Sequence, residues 1–581
     1  MQILGHFFQR IVRWVWLGTL IFLAYQYLSS GLSRNKDRSG SQSGNPIANN
    51  SDLSVANQSE RTKDQSTSSP LETAQSLASI QRSVAMANQV HSAYLHKMSL
   101  DCAETADWLT ICRRLSLALV GNGLSLEEIR SLEQEAIENR VQIHLQNLLA
   151  DSRHHHYWAE RWARYLVGTD GGQFIVYRRR RFRIWLSEVI AENRPYDQIV
   201  RDLLTAEGLW TDRPEVNFYT ATFDSNDGSA DPVRLAARTA RVFLGLRIDC
   251  LQCHDDFLGN VNLGDELTLR EGKQQDFHQL AAFFTGAKTN GLQGIKSGDS
   301  DYHYQYLDTN KEVLVPPKVP YDERLLDEVA DPREQLANWI THPENKQAAR
   351  SAVSHVWALL FGRSIGETVD NLPLDETIHP LLNVLADDFI KHDFNMHRLI
   401  KVITSLNVFQ VDSRASFPIT PKHESAGAVF PLVQLRPEQV AGSVIQAARV
   451  KKTDRDSSLL VQLQQVASTN EFVQRFGDRG EDEFDSEHVT ITQRLLMMNG
   501  KMVRESVESN PILNTTAHLA MFAKDDSMVI DNAYLCVLNR LPTPSEREHF
   551  LDRLKKVDNR SEAIVDLMWV LTNSSELTWN H

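Results

Sequence analysis

Along residues 103–120, apolar side chains recur at Leu109, Cys112, Leu115 and Leu119. That three-to-four spacing turns one face of a helix toward a core. The same period marks 141–149 and 157–166. Between the first two stretches, Ser125-Leu-Glu-Glu reads as a cap followed by first-turn acids and predicts a helix running through Asn139. Asp231-Pro232 is an N-cap and N1 pair, opening a helix AARTARVFLGLRI that leads toward a cysteine motif. Helical periods continue at 333–341, 348–361, 379–392, 396–405, 437–450, 489–508, 528–539 and 544–557. Period-two alternation is scarce, so the expected fold class is mainly α, a multi-helix body. Gly and Asp at 286–301 and Pro at 315–320 mark a joint between two halves, 95–300 and 325–581. No repeat of fixed period occurs.

The N-terminus has a different pattern. Residues 14–28 read WVWLGTLIFLAYQYL without a charge, after His6, Arg10 and Arg13. Counted from Ile11 with Arg13 snorkelling, the run reaches about 18 residues, near the length of a spanning helix. No small-x-small cleavage site follows Leu28. The expectation is a signal anchor at 11–28, with 1–10 a cytoplasmic tip and the body on the exported, periplasmic side of the inner membrane. An amphipathic or buried helix is the competing reading. Trp14, Trp16, Tyr25 and Tyr27 at the ends of the run suit interfacial belts. Residues 29–72 turn to Ser, Asn, Gln, Asp and Lys, too polar to offset ordering entropy, and read as a disordered linker. Such a tether reaches about 30–35 Å.

Composition narrows the class. The chain has 581 residues, 42% of them hydrophobic, with 61 basic against 75 acidic side chains and a net charge of −14. That length holds about four domains' worth of chain and excludes a disulfide-stapled mini-protein. The hydrophobic share excludes a wholly disordered chain and a polytopic membrane protein. The acidic balance speaks against a nucleic-acid partner. No Ser-His-Asp elbow, GxGxxG, P-loop or HExxH occurs, so no reaction is assigned and whether the chain is an enzyme stays open.

Two of the five cysteines stand in Cys250-Leu-Gln-Cys253-His254, the pattern of covalent c-type haem attachment. Both thiols would add to haem vinyl groups and His254 would be the proximal iron ligand. At this composition about 0.0015 chance occurrences are expected, so chance is a poor explanation. Haem c attached by thioethers also agrees with an exported body, where a redox partner protein would meet it. Two other readings stand beside it: a Cys250–Cys253 disulfide or plain thiols, and a zinc or similar metal site with His278 or Asp255 as fourth ligand. No methionine lies between His254 and Met396, which leaves His278 or His303 as a sixth ligand, or a five-coordinate iron. Asp249, Asp255 and Asp256 surround the motif with negative charge that favours oxidised iron, and that would serve a cation too.

Other motifs carry less. Tyr177-Arg178-Arg179-Arg180-Arg181-Phe182-Arg183 is rich enough in arginine to meet an anionic glycan, and equally suited to pairing with the chain's own carboxylates. His154-His155-His156 cannot all face one point on a helix, and solvent exposure is expected. Trp158 and Trp162, four apart, read as core. Cys102 and Cys112 are expected unpaired, and Cys536 is expected in a core.

Ordered blocks over residues 95–581 resemble a planctomycete family: a cytochrome-c-like exported domain of unknown function followed by its usual C-terminal partner domain. The first is carried by Arg113-Arg114-Leu-Ser-Leu117, Trp158-Ala-Glu-Arg-Trp-Ala-Arg164, Asn193-Arg-Pro-Tyr-Asp-Gln198, Phe243-Leu-Gly-Leu246 with CLQCHDD, and Leu280-Ala-Ala-Phe-Phe284. The second is carried by Leu336-Ala-Asn-Trp-Ile340, Val356-Trp-Ala-Leu-Leu-Phe-Gly-Arg363, Leu385-Ala-Asp-Asp-Phe389, Met498-Asn-Gly500, Asn539-Arg-Leu-Pro-Thr-Pro544 and Leu571-Thr-Asn-Ser-Ser575. Three positions depart from the family pattern. Asp256 stands where CxxCHDH has its last histidine, Ser354-His355 stands for Asn-Arg, and Gly121-Asn-Gly123 replaces a proline-rich turn. The resemblance implies a fold and an exported address rather than a reaction. Accessory work in polysaccharide breakdown, or a non-haem scaffold role, are the alternatives to redox function.

Overall fold

The computed structural model describes residues 70–581 except 170–176, 224–228, 265–267, 290–292, 308–310, 330, 376, 453–468, 470, 478–483, 485–489 and 509–513. The expected anchor at 11–28 and nearly all of the expected linker lie outside the described residues. A helix Pro70–Lys97 takes the linker's last three positions, because Pro70 serves as a first helical residue. Among the described residues no helix is long and apolar enough to cross a membrane.

The fold is mainly helical, and local chemistry sets the helix starts. Asp107, Asp231 and Asp331 each accept a backbone N–H two or three residues on, and Pro232 and Pro332 follow the latter two. Ser125 and Glu128 form the expected capping box, as do Thr543 and Glu546. Stops are set by left-handed residues: Gly121 after Trp108–Val120, Gly362 after Lys346–Phe361, and Asn539 after Asp526–Leu538.

Several helix bounds differ from expectation, three of them for legible reasons. The stretch 103–120 is helical only over Trp108–Val120, since the Asp107 side chain caps Leu109 N. The helix expected through Asn139 ends at Glu133, and Arg140–Ala150 starts afresh. Residues 489–508 form two helices, Ile491–Asn499 and Lys501–Val507, broken at Gly500. Among the described residues the strands are four short antiparallel ribbons. Ala287–Thr289 with Ile295–Ser297 occupies the expected joint, and Val433–Gln434 pairs with Trp579–Asn580 near the C-terminus.

The largest apolar core runs from Ala87 to Phe430 and includes Trp158, Trp162, Phe243, Phe283, Trp339 and Phe409, so residues before and after the 286–320 segment share it. A second core joins Leu117 to helices Pro437–Ala447, Asp526–Leu538 and Arg560–Thr572. Arg114 ties these regions together. It is fully buried, donates to the carbonyls of Phe409, Val411 and His581 at 2.8 Å, and lies 3.7 Å over the Phe430 ring. Trp158 and Trp162 are core, as their spacing predicts. Of the histidine triplet only His156 is exposed: His155 is half-buried with Nε2 on the Leu149 carbonyl at 3.1 Å, and His154 is fully buried with Nδ1 on the Leu119 carbonyl at 3.1 Å, because its helix turns that position inward beside Trp158.

Candidate functional site

The segment that presents the cysteine motif leaves its helix through a sharp stop. The helix from Pro232 continues to Thr239, passes into a π turn at Ala240–Leu244, and ends at Gly245 with φ +60°. It therefore stops short of the motif, where the apolar period had carried it to Ile248. A side chain at Gly245 would press on Leu372 at 3.1 Å and Ser351 at 3.3 Å, so glycine suits both the conformation and the space. Leu372 N then donates to the Gly245 carbonyl at 2.7 Å. Buried Ile248 and Leu251 anchor a 3-10 turn, Asp249–Gln252, which carries Cys250 at its second position.

Cys250 and Cys253 are exposed free thiols, and His254 is exposed beside them. The His254 ring donates from Nδ1 to the Asp255 carbonyl at 2.7 Å, which leaves Nε2 facing solvent. Phe257 and Leu258, at 79% and 83% exposure, lie bare next to the ring. The Asp255 carboxylate accepts Gln274 N at 2.7 Å, at the start of helix Gln274–Ala282. The Asp256 side chain accepts Leu258 N and Val261 N at 3.0 and 2.6 Å, so this departure from the family pattern shapes the 257–261 loop. Those backbone donors, Val261 first, hold the Asp256 carboxyl below the usual range. Burial pushes the Cys250 thiol up, and the charges of Asp256 and Asp249 push it further.

His278 is fully buried behind the motif. Its Nε2 donates to the Gln252 carbonyl at 3.1 Å and its Nδ1 accepts from the Tyr302 hydroxyl at 2.9 Å. Both nitrogens are thus engaged, and a ligand role for His278 would require breaking one of these bonds. Burial lowers its pKa, so the ring stays neutral and holds the motif's backbone. Tyr304 stacks on it at 3.4 Å, and Tyr302 and Tyr306 complete a cage. These tyrosines were missed in the sequence, although the alternation Tyr302-His-Tyr304-Gln-Tyr306 places them on one side of an extended segment. Gln274 adds a second tie, Nε2 to the Gln252 carbonyl at 3.0 Å.

The donor set fits a covalently joined haem: two accessible thiols, an imidazole whose free nitrogen is oriented by a backbone acceptor, and bare apolar side chains beside it. It fits a compact metal site less well, since among the described residues no three His, Cys, Asp or Glu side chains are grouped to hold one ion.

Next to the motif, Leu246, Arg247, Ile248 and Val261 line a cleft of about 1350 Å³ together with Arg363, Asp375 and His379. Asp370, which is buried, pairs with Arg241 and with the cleft-lining Arg247. Of the arginine run, Arg179 and Arg183 both pair with Glu160, and Arg179 also donates to the Gly168 carbonyl. Arg178 is half-buried, while Arg180 and Arg181 are exposed. Cys102 and Cys112 are free, and Cys536 packs with Cys112 in one small apolar cluster.

Residues 87–289 match the family model PSCyt2, a protein of unknown function (DUF1549), and residues 332–554 match PSD1, a protein of unknown function (DUF1553). Among curated proteins and among solved structures nothing matches the chain.

Proposed function

We propose that this chain, a member of the family that carries the PSCyt2 domain followed by the PSD1 domain, is an exported c-type haem protein with an electron-transfer or haem-assisted redox role. The observation that carries the reading is the motif's presentation: exposed free thiols on Cys250 and Cys253, with His254 Nε2 open and Nδ1 engaged on Asp255. Each thiol would add across a vinyl group, sulfur to one carbon and hydrogen to the other, giving two thioethers. When bound, the haem supplies a one-electron iron couple.

The chain's own residues supply the rest. The Asp255 carbonyl fixes the His254 tautomer so that Nε2 is the ligand nitrogen. His278 and Gln274 brace the Gln252 carbonyl and with it the turn bearing Cys250. Asp249, Asp255 and Asp256 favour the oxidised state. Phe257 and Leu258 offer apolar cover to a ring system. The apolar run at 11–28, ahead of a polar tether, supports an inner-membrane anchor with the body in the periplasm, where a redox partner protein would dock.

Expression together with a haem-maturation system, followed by a haem stain of the denatured chain on a gel, tests the reading. Stain on the parent and its loss in Cys253→Ala are expected. An unstained parent that carries one equivalent of zinc would instead favour the metal reading.

A further inference from the structure

The Arg436 side chain is buried, at 4% exposure, yet among the described residues no carboxylate is paired with it. Its Nη2 donates to the Tyr157 hydroxyl at 3.0 Å, while Nε and Nη1 have no acceptor. A cation taken out of water costs several kcal/mol unless an anion compensates it. Nearby arginines are compensated: Arg161 by Glu438 at 2.9 Å, and Arg241 by Asp370. Arg436 also stands at the N-terminus of helix Pro437–Ala447, whose first amides add positive potential.

A second unpartnered group lies close by. His355 is fully buried and neither ring nitrogen has a hydrogen-bond partner. Its ring stacks on Tyr165 at 3.7 Å and meets Trp162 edge-on at 4.7 Å. Phe484 links the two: its ring is 5.8 Å from the His355 ring and 5.7 Å from the Arg436 guanidinium. Phe484 and Gln434 both line the cleft of about 1350 Å³, so the pair lies one side chain behind the cleft wall.

We propose that Arg436 and His355 bind an oxyanion, either free or as the anionic group of a ligand held in the cleft. Arg436 offers Nε–H and Nη1–H, and His355 offers one N–H. Burial, then the charges of Arg436 and Arg241, lower the His355 pKa to about 3, so the ring is a neutral donor at one nitrogen and an acceptor at the other. The other nitrogen can accept a hydroxyl where the ligand carries one. Turning the buried Gln434 amide would add a further donor. This site is separate from residues 250–254 and does not depend on haem.

Sulfate, phosphate and acetate, titrated into the purified full-length chain at constant ionic strength and followed by calorimetry and thermal unfolding, test the proposal. At least one oxyanion is expected to bind and raise the unfolding midpoint. Arg436→Gln is expected to weaken that binding at least tenfold. His355→Phe, which keeps the stack on Tyr165, is expected to weaken it several-fold and decides the matter if the arginine variant fails to fold. Response to sulfate or phosphate alone assigns a tetrahedral sulfate or phosphate group, and response to acetate alone assigns a carboxylate. Failure of all three to bind, or unchanged binding in the variants, overturns the proposal.

Discussion

Arg540 shows how one side chain can hold several turns. It forks onto both oxygens of Glu546 at 2.9 Å and onto both of Glu576 at 2.6 and 2.8 Å. Hydrogen bonds to Arg540 hold the Glu546 carboxyl down to about 2. A depressed carboxylate contributes stability that is present above its ordinary value near 4.5 and lost as pH falls toward 2. Arg540→Met should therefore lower stability by about 1–2 kcal/mol at pH 7, given the partial exposure of the pair. The difference from the parent should shrink as pH falls below 4.5 and be nearly gone by about pH 2 in denaturant titrations; an equal difference at pH 7 and pH 2 would contradict this role. Asn539-Arg-Leu-Pro-Thr-Pro544 was readable as a block, but Arg540's partner Glu576 was not, because that contact spans 36 residues and has no local signature. His278 was likewise readable as a histidine near the motif, whereas its bonds to Gln252 and Tyr302 emerge only from tertiary packing.

At the scale of elements, the start of a helix is the more legible end. Asp-Pro, Ser-x-x-Glu and Thr-Pro are short-range signals that the backbone obeys directly. Ends are blurred because an apolar period runs on past the stop, as at 134–139 and again at Gly245, where packing against Leu372 and Ser351 selects a left-handed glycine. The apolar period of helix Pro70–Lys97 is weak; Ala87 and Leu95 are buried in apolar clusters, and a polar clasp adds to that hold. The Ser83 hydroxyl donates to Asp388 at 2.5 Å and accepts from Arg398 at 2.9 Å, and Arg398 pairs with Asp388 at 3.1 Å. Asp388→Ala strands a mostly buried Arg398 and should cost about 3 kcal/mol. Hydrogen exchange should quicken first along 76–97. Unchanged protection there would show that the clasp does not hold the helix.

Across the whole molecule, burial of neutral imidazoles ties stability to pH. His144 is lowered to about 4, and His154 and His355 to about 3, in each case chiefly by burial. The unfolded chain protonates these rings near pH 6.5 while the folded one does not, so stability is full above that value and falls as pH drops toward 4. Each contributes a slope of at most about 1.4 kcal/mol per pH unit. The unfolding midpoint should fall steadily from pH 7 to 5, before the carboxylates paired with Arg540 and Arg161 begin to titrate. A flat profile over that range would show that these buried imidazoles do not set the pH dependence of stability.

What the thiols of residues 250–254 carry in the mature protein decides whether this molecule is a c-type haem protein. Mass spectrometry of the tryptic peptide from Ile248 to Arg270, taken from chain matured with its export and haem-attachment machinery, tests it most directly. The peptide is expected to be heavier by one haem, with neither cysteine open to alkylation. A peptide without haem, carrying one alkyl group on each of Cys250 and Cys253, would show that the motif holds no haem.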